Sequence, residues 1–132
     1  MRAQAEIVER IADVSAAEWD ALDPSGTPFL RHAFLETLEE SGCVGADSGW
    51  LPRHLVLRDD AGRLLGAVPQ YLKLHSWGEF IFDWSWAQSY ARAGLDYYPK
   101  LLSAVPFTPV TGPRLLVAED VDPQFRTRLA RL

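Results

Sequence analysis

The spacing of apolar and polar positions changes repeatedly along the chain, and each change marks an element. Residues 5–11 have the make-up of an edge strand. Ser15-Ala16-Ala17-Glu18 then reads as a capping box, in which the Ser15 hydroxyl accepts from the Glu18 amide and the Glu18 side chain reaches back. A short helix over residues 16–22 follows. Asp23-Pro24-Ser25-Gly26 ends it, because proline cannot continue the hydrogen-bond ladder and glycine tolerates positive φ. Over residues 32–41, Phe34, Leu35 and Leu38 recur at helical spacing, Glu36, Glu39 and Glu40 turn outward, and Gly42 is placed as the stop. Residues 42–52, with three glycines, break the periodicity as a loop.

A hairpin comes next. Residues 55–57 and 64–72 are strand-like runs on either side of Asp59-Asp60-Ala61-Gly62, whose Asp and Gly suit a turn between antiparallel strands. Gly66 and Pro69 interrupt the second run, which predicts a bulge or an edge position there. Farther on, Asp83 is placed to cap a helix running to about Ala93, with Gly94 closing it. Residues 100–105 and 114–117 read as strands, joined by a connection stiffened by Pro106, Pro109 and Pro113. Asp122-Pro123 starts a last helix, whose apolar stripe of Phe125, Leu129 and Leu132 runs to the final residue without a stop signal. That uncapped stripe leads to the expectation of a chain cut from a longer protein.

Composition narrows the class to a single α/β domain. The 132 residues are 48% hydrophobic and 23% charged, enough to bury a core without disulfides or metal. No apolar run is long enough to span a bilayer, and charges mix into the first ten residues, so a cytoplasmic protein is expected. A net charge of -5 argues against DNA or RNA as a partner, and Arg126, Arg128 and Arg131 read as a solvated helix face. Cys43 is the single cysteine, which leaves no zinc or redox pair. His32, His54 and His75 lie on different elements without ligand spacing, so no metal is expected.

Glycine-rich phosphate loops, HExxH and GxSxG are all missing. The most site-like feature pairs residues 79–86 with residues 97–114. Glu79 and Asp83 stand among Phe80, Phe82, Trp84 and Trp86, where apolar surroundings would raise a carboxyl pKa toward general-base use. The plainer alternative makes Asp83 a helix cap and the aromatics core. In the loop over residues 106–114, Phe107 offers an apolar wall, Thr108 and Thr111 offer hydroxyls, and Arg114 offers a bidentate clamp for a carboxylate or phosphate. The alternative there is a tight connection shaped by its prolines.

Phe82-Asp83-Trp84, the run from Tyr97 to Leu102 and the run from Val105 to Arg114 resemble the signature stretches of FemAB-like N-acyltransferases, and residues 30–42 and 50–73 resemble that family's opening. The likeness covers nearly the whole chain. It implies a GNAT-like fold, a mixed and largely antiparallel sheet flanked by helices, of which residues 1–132 form the N-terminal portion. It also implies transfer of an acyl or aminoacyl group to an amine in cell-wall precursor metabolism, with acyl-CoA or aminoacyl-tRNA as donor. In that chemistry Glu79 or Asp83 helps remove the proton and Tyr97 or Tyr98 donates to the leaving group, while Trp86, Lys100, Phe107, Thr108, Thr111 and Arg114 contact the acceptor. Two departures stand out. The donor's R/Q-x-x-G-x-G/A loop has no match, so the resemblance places the donor site in a C-terminal part of the same protein, and the fragment alone is expected to be inactive. Arg31 occupies the place of an expected capping serine. The other function consistent with the residues is a binding module, with Trp77, Trp84 and Trp86 as a stacking surface for a sugar or peptide.

Overall fold

A computed structural model describes residues 2–131. It is an α/β structure, as expected, but where one mixed, largely antiparallel sheet was expected the strands form two sheets in which every pair is antiparallel. The first is ordered β1 (Ala3–Val8), β3 (His54–Asp59), β4 (Leu64–Val68), β7 (Leu116–Val117). The second is ordered β2 (Trp50–Pro52), β5 (Tyr71–Lys73), β6 (Lys100–Leu102).

One long hairpin supplies the middle of both sheets. Its second arm, expected to run unbroken over residues 64–72, divides at Pro69, which has no N–H to give to a ladder. Both arms change sheet at the same level, where Arg53 N–H donates to the Gln70 carbonyl at 2.9 Å. The expected bulge is present, since the β3–β4 register slips between Leu57 and Arg58, opposite Gly66 and Leu64. The edge position is not. Strand β4 lies between β3 and β7, and a Cβ on Gly66 would stand 3.0 Å from the Leu116 carbonyl oxygen, so glycine lets β7 approach. The predicted strands over residues 100–105 and 114–117 shorten to β6 and β7, which lie in different sheets, and the proline-rich connection crosses between them.

The helices are α1 (Ala16–Asp20), α2 (His32–Glu40), α3 (Trp84–Arg92) and α4 (Pro123–Leu129). Ser15 caps α1 as expected, accepting from Glu18 N–H at 3.4 Å. Glu18 does not reach back; its carboxylate accepts from Leu64 N–H at 3.3 Å and pairs with Arg58, tying α1 to the hairpin. Where Arg31 offers no cap to α2, Asp20 supplies one from α1, accepting from His32 N–H at 2.8 Å. Glu39 points inward, against expectation, and accepts from Ile11 N–H at 3.0 Å and from His54 Nε2 at 3.2 Å. The first strand stops short of Ile11, which begins a 3-10 turn. Asp122 caps α4 through the Gln124 and Phe125 amides. The rest of the expected terminal stripe, Leu132 and the Leu129 side chain, lies outside the described residues.

Burial follows the two sheets. The larger core gathers Ile11, Trp19, Leu35, Val56 and Leu65 between the first sheet and α1–α2, and a smaller one centres on Val44, Trp50 and Tyr71. From the second core, Trp50 and the adjoining Leu102 reach the wall of the candidate site. Among the described residues no helix is long and apolar enough to cross a membrane.

Candidate functional site

Strands β5 and β6 pair so that Lys73 stands opposite Lys100, each the lone charge of its strand. Two like charges at such a pair repel, and the turn leading into α3 supplies the compensation. Glu79 is buried between them, with Oε2 2.8 Å from Lys100 Nζ and Oε1 3.8 Å from Lys73 Nζ. Asp83, at the N-terminus of α3, also takes a hydrogen bond from Lys100 Nζ and another from the Tyr97 hydroxyl at 2.6 Å. The result is an alternating row of Lys73, Glu79, Lys100 and Asp83.

Each member is held differently. Lys73 is fully buried; its ammonium donates to the Trp77 carbonyl at 2.7 Å and lies 4.1 Å from the Trp50 ring centroid. Burial brings its pKa down to about 8, against the opposing pull of Glu79. For Lys100, burial acts in the same direction but is outweighed by the hydrogen bonds it donates to Asp83 and Glu79, and its pKa rises. The Lys100 and Tyr97 hydrogen bonds hold the Asp83 carboxyl below the usual carboxylate range, and the Asp83 bond pushes the Tyr97 hydroxyl up to about 12. Asp83 thus departs from both sequence expectations. Its side chain makes no capping bond to α3, and its pKa is lowered because a lysine, not an apolar wall, is its nearest neighbour. Oδ1 of Asp83 takes no hydrogen bond among the described residues, and the side chain stays 27% exposed.

Beside this row opens a cleft of about 460 Å³. Glu79, Asp83, Thr108 and Arg114 line it, together with Trp50 and the apolar side chains of Phe80, Ile81, Leu102, Val105 and Val110. Phe107 packs on Trp50 with ring centroids 5.1 Å apart and adopts φ +65, a left-handed conformation that a side chain rarely takes. Gly78, at φ +82, lies so close beneath that an added Cβ would stand 2.7 Å from both the Phe107 ring and Trp50 Nε1. Arg114 does not present an open fork: Nη2 donates to the Val110 carbonyl at 2.6 Å, and Nη1 to those of Gly112 and Pro113. Tyr98 is hydrogen-bonded to the buried Ser76. Trp86 and Thr111 are exposed and do not line the cleft.

Sequence reasoning missed Lys73 and Trp50. The signal for Lys73 was a single charge closing an apolar strand, matched by Lys100 in a second one. The plain reading of the aromatics as core is also overturned. No residue of α3 is buried, and Trp77, Trp84 and Trp86 are 63%, 57% and 63% exposed. Trp77, Phe82 and Trp84 instead form a surface cluster with centroids 4.9 to 6.3 Å apart. His32 and His54 are buried in structural hydrogen bonds, and His75 accepts from Trp77 N–H. Among the described residues no group of three His, Cys, Asp or Glu is arranged to hold a metal ion.

Residues 10–131 match the model of the FemAB-like family, described as peptidoglycan biosynthesis/recognition. No curated protein and no solved structure matches the chain.

Proposed function

Because the chain belongs to the FemAB-like family of peptidoglycan biosynthesis or recognition, we propose that its cleft is the acceptor side of an N-acyltransferase. The observation that carries this reading is Asp83: an ionised, cleft-lining carboxylate with one oxygen tied to Lys100 and Tyr97 and the other left for a ligand. An acceptor ammonium docks on Oδ1 by a charge-assisted hydrogen bond. Once it has lost a proton to solvent, the amine nitrogen attacks the carbonyl carbon of a thioester or ester. A C–N bond forms, the C–S or C–O bond breaks, and the departing sulfur or oxygen carries away the electron pair.

A carboxylate of low pKa is a weak base toward a free ammonium. The nitrogen of the tetrahedral adduct is far more acidic, so Asp83 takes its proton after attack. Glu79 acts one step back, fixing Lys100 and through it Asp83. Tyr97 holds the same carboxylate, and Arg114 braces the loop that walls the cleft. The donor, acyl-CoA or aminoacyl-tRNA, is held by another part of the protein, and both donors place the reaction in the cytoplasm. The test is transfer of a labelled acyl or aminoacyl group to a cell-wall precursor amine by the native protein. Asp83→Asn is expected to lower kcat/KM by about 100-fold; undiminished turnover would end this reading.

A second reading is favoured by the exposed cluster of Trp77, Phe82 and Trp84, which suits a non-catalytic module stacking on a sugar or peptide. Quenching of Trp fluorescence by cell-wall fragments, abolished in Trp84→Ala and untouched in Asp83→Asn, would favour it over transfer.

A further inference from the structure

An uncovered apolar surface lies on the segment that follows β5. Trp77, Phe80, Ile81, Phe82, Trp84 and Trp86 all reach solvent, from 40% exposed for Phe82 to 76% for Ile81. At about 200 Å² for a fully exposed side chain of this size, the six together present roughly 700 Å². The largest apolar patch on a soluble monomer is about 300 to 600 Å², whereas one side of a stable protein–protein interface buries about 800 Å². The helix built on this segment is unpartnered as well. At nine residues α3 is too short to hold in water without packing, and none of its residues is buried. Trp84, Trp86, Ala87, Tyr90 and Ala91 form a broad apolar arc, against Ser85, Gln88, Ser89 and Arg92 on the polar side. Within the fold Tyr90 packs on Tyr97, with ring centroids 5.1 Å apart, and Trp84 packs on Trp77 and Phe82, which leaves Trp86 and Ala91 facing water.

Charge narrows what can cover this face. Glu79 and Asp83 are engaged by Lys73 and Lys100, and the other charges between Trp77 and Tyr98 are Arg92 and Asp96, one of each sign. A chain of net charge -5 that offers a single arginine here is poorly suited to an anionic membrane surface, and a strongly charged protein would find nothing to pair with. A surface of matching area, apolar and without net charge, exists on another copy of the same chain, and a two-fold pair is the commonest assembly of like chains. We infer that residues 77–92 form the interface of a two-fold dimer, in which α3 packs antiparallel on α3 of the second copy and the cluster of Trp77, Phe82 and Trp84 is closed from water. Antiparallel order puts each Arg92 at the opposite end from its twin, so the like charges stay apart. Because Phe80 and Ile81 also line the cleft, the second copy stands at its mouth on that side. The dimer does not depend on which reaction the cleft performs.

The test is sedimentation velocity of the 132-residue chain at pH 7, where a dimer is expected at about 100 µM with a Kd at or below about 10 µM. Trp84→Ser and Ile81→Asp, both at exposed side chains, should each raise that Kd by at least about 100-fold. Ile7→Ser removes an exposed apolar side chain on β1 and should dimerise as wild type does. Should circular dichroism show a variant unfolded, hydrogen exchange of the wild-type chain replaces it: α3 amides should be protected in the dimer and lose that protection on dilution below the Kd. A wild-type chain that stays monomeric at the highest concentration, whether or not it binds phosphatidylglycerol vesicles, overturns the inference. A dimer that survives Trp84→Ser and Ile81→Asp, or one that Ile7→Ser abolishes, places the contact elsewhere and overturns it too, as does α3 exchange indifferent to dilution.

Discussion

Lys73 and Gly78 show how much of the site rests on single residues. The folded pKa of Lys73, about 8, lies below its ordinary 10.5, so between those values the folded chain binds fewer protons than the unfolded one. The cost of burying the charge is present in full below pH 8 and fades as pH rises toward 10.5. Wild-type stability should therefore gain on Lys73→Met between pH 7 and pH 10, by roughly 3 kcal/mol at most. Urea midpoints across that range check this; a constant difference, or one moving the other way, would contradict it. Gly78→Ala forces a side chain into the left-handed region and against Phe107 and Trp50, and should cost about 2 to 3 kcal/mol in urea unfolding. The sequence marked Lys73 only as a single charge closing an apolar strand, and Gly78 not at all. Lys73 gains its meaning from Lys100, 27 positions away across a strand pair, and Gly78 from Phe107, which approaches from a separate loop.

At the scale of elements, periodicity located α2, the hairpin and the α4 start, because each depends on spacing and turn chemistry within a few residues. It failed where a partner lies far along the chain. Glu39 sits at a position that helical spacing assigns to solvent, yet it satisfies Ile11 N–H and the buried His54, whose Nδ1 accepts from Gln70 N–H and whose Nε2–H is thereby left to donate. Glu39→Ala should cost about 3 kcal/mol, since both donors lose their acceptor in the interior. Glu40→Ala, one position on and exposed, should stay within about 0.5 kcal/mol. Thermal unfolding of the pair decides; equal losses would make Glu39 an ordinary surface residue. The strand over residues 64–72 failed for a different reason: Pro69 was visible as a defect, but a break between two sheets and a bulge within one leave the same mark in sequence.

For the molecule as a whole, the α/β class followed from composition and spacing, the antiparallel pairing of the central hairpin from its turn, and FemAB-like membership from long motifs, whereas the division into two sheets was not foreseen. The site's surroundings were read half correctly. Residues 79–83 and 106–114 do meet at one cleft, but its carboxylates are anchored by lysines from the second sheet, and the aromatics taken as candidate core stand on the surface. Two faces thus compete for the ligand: the cleft at Asp83, and the cluster of Trp77, Phe82 and Trp84. Titrating the uniformly ¹⁵N-labelled chain with n-hexylamine at pH 7 and following its amide resonances separates them most directly. The account predicts shifts concentrated in residues 78–81, Asp83 and residues 102–110 that saturate together; unmoved amides there, with shifts confined to Trp77, Phe82 and Trp84, would contradict it.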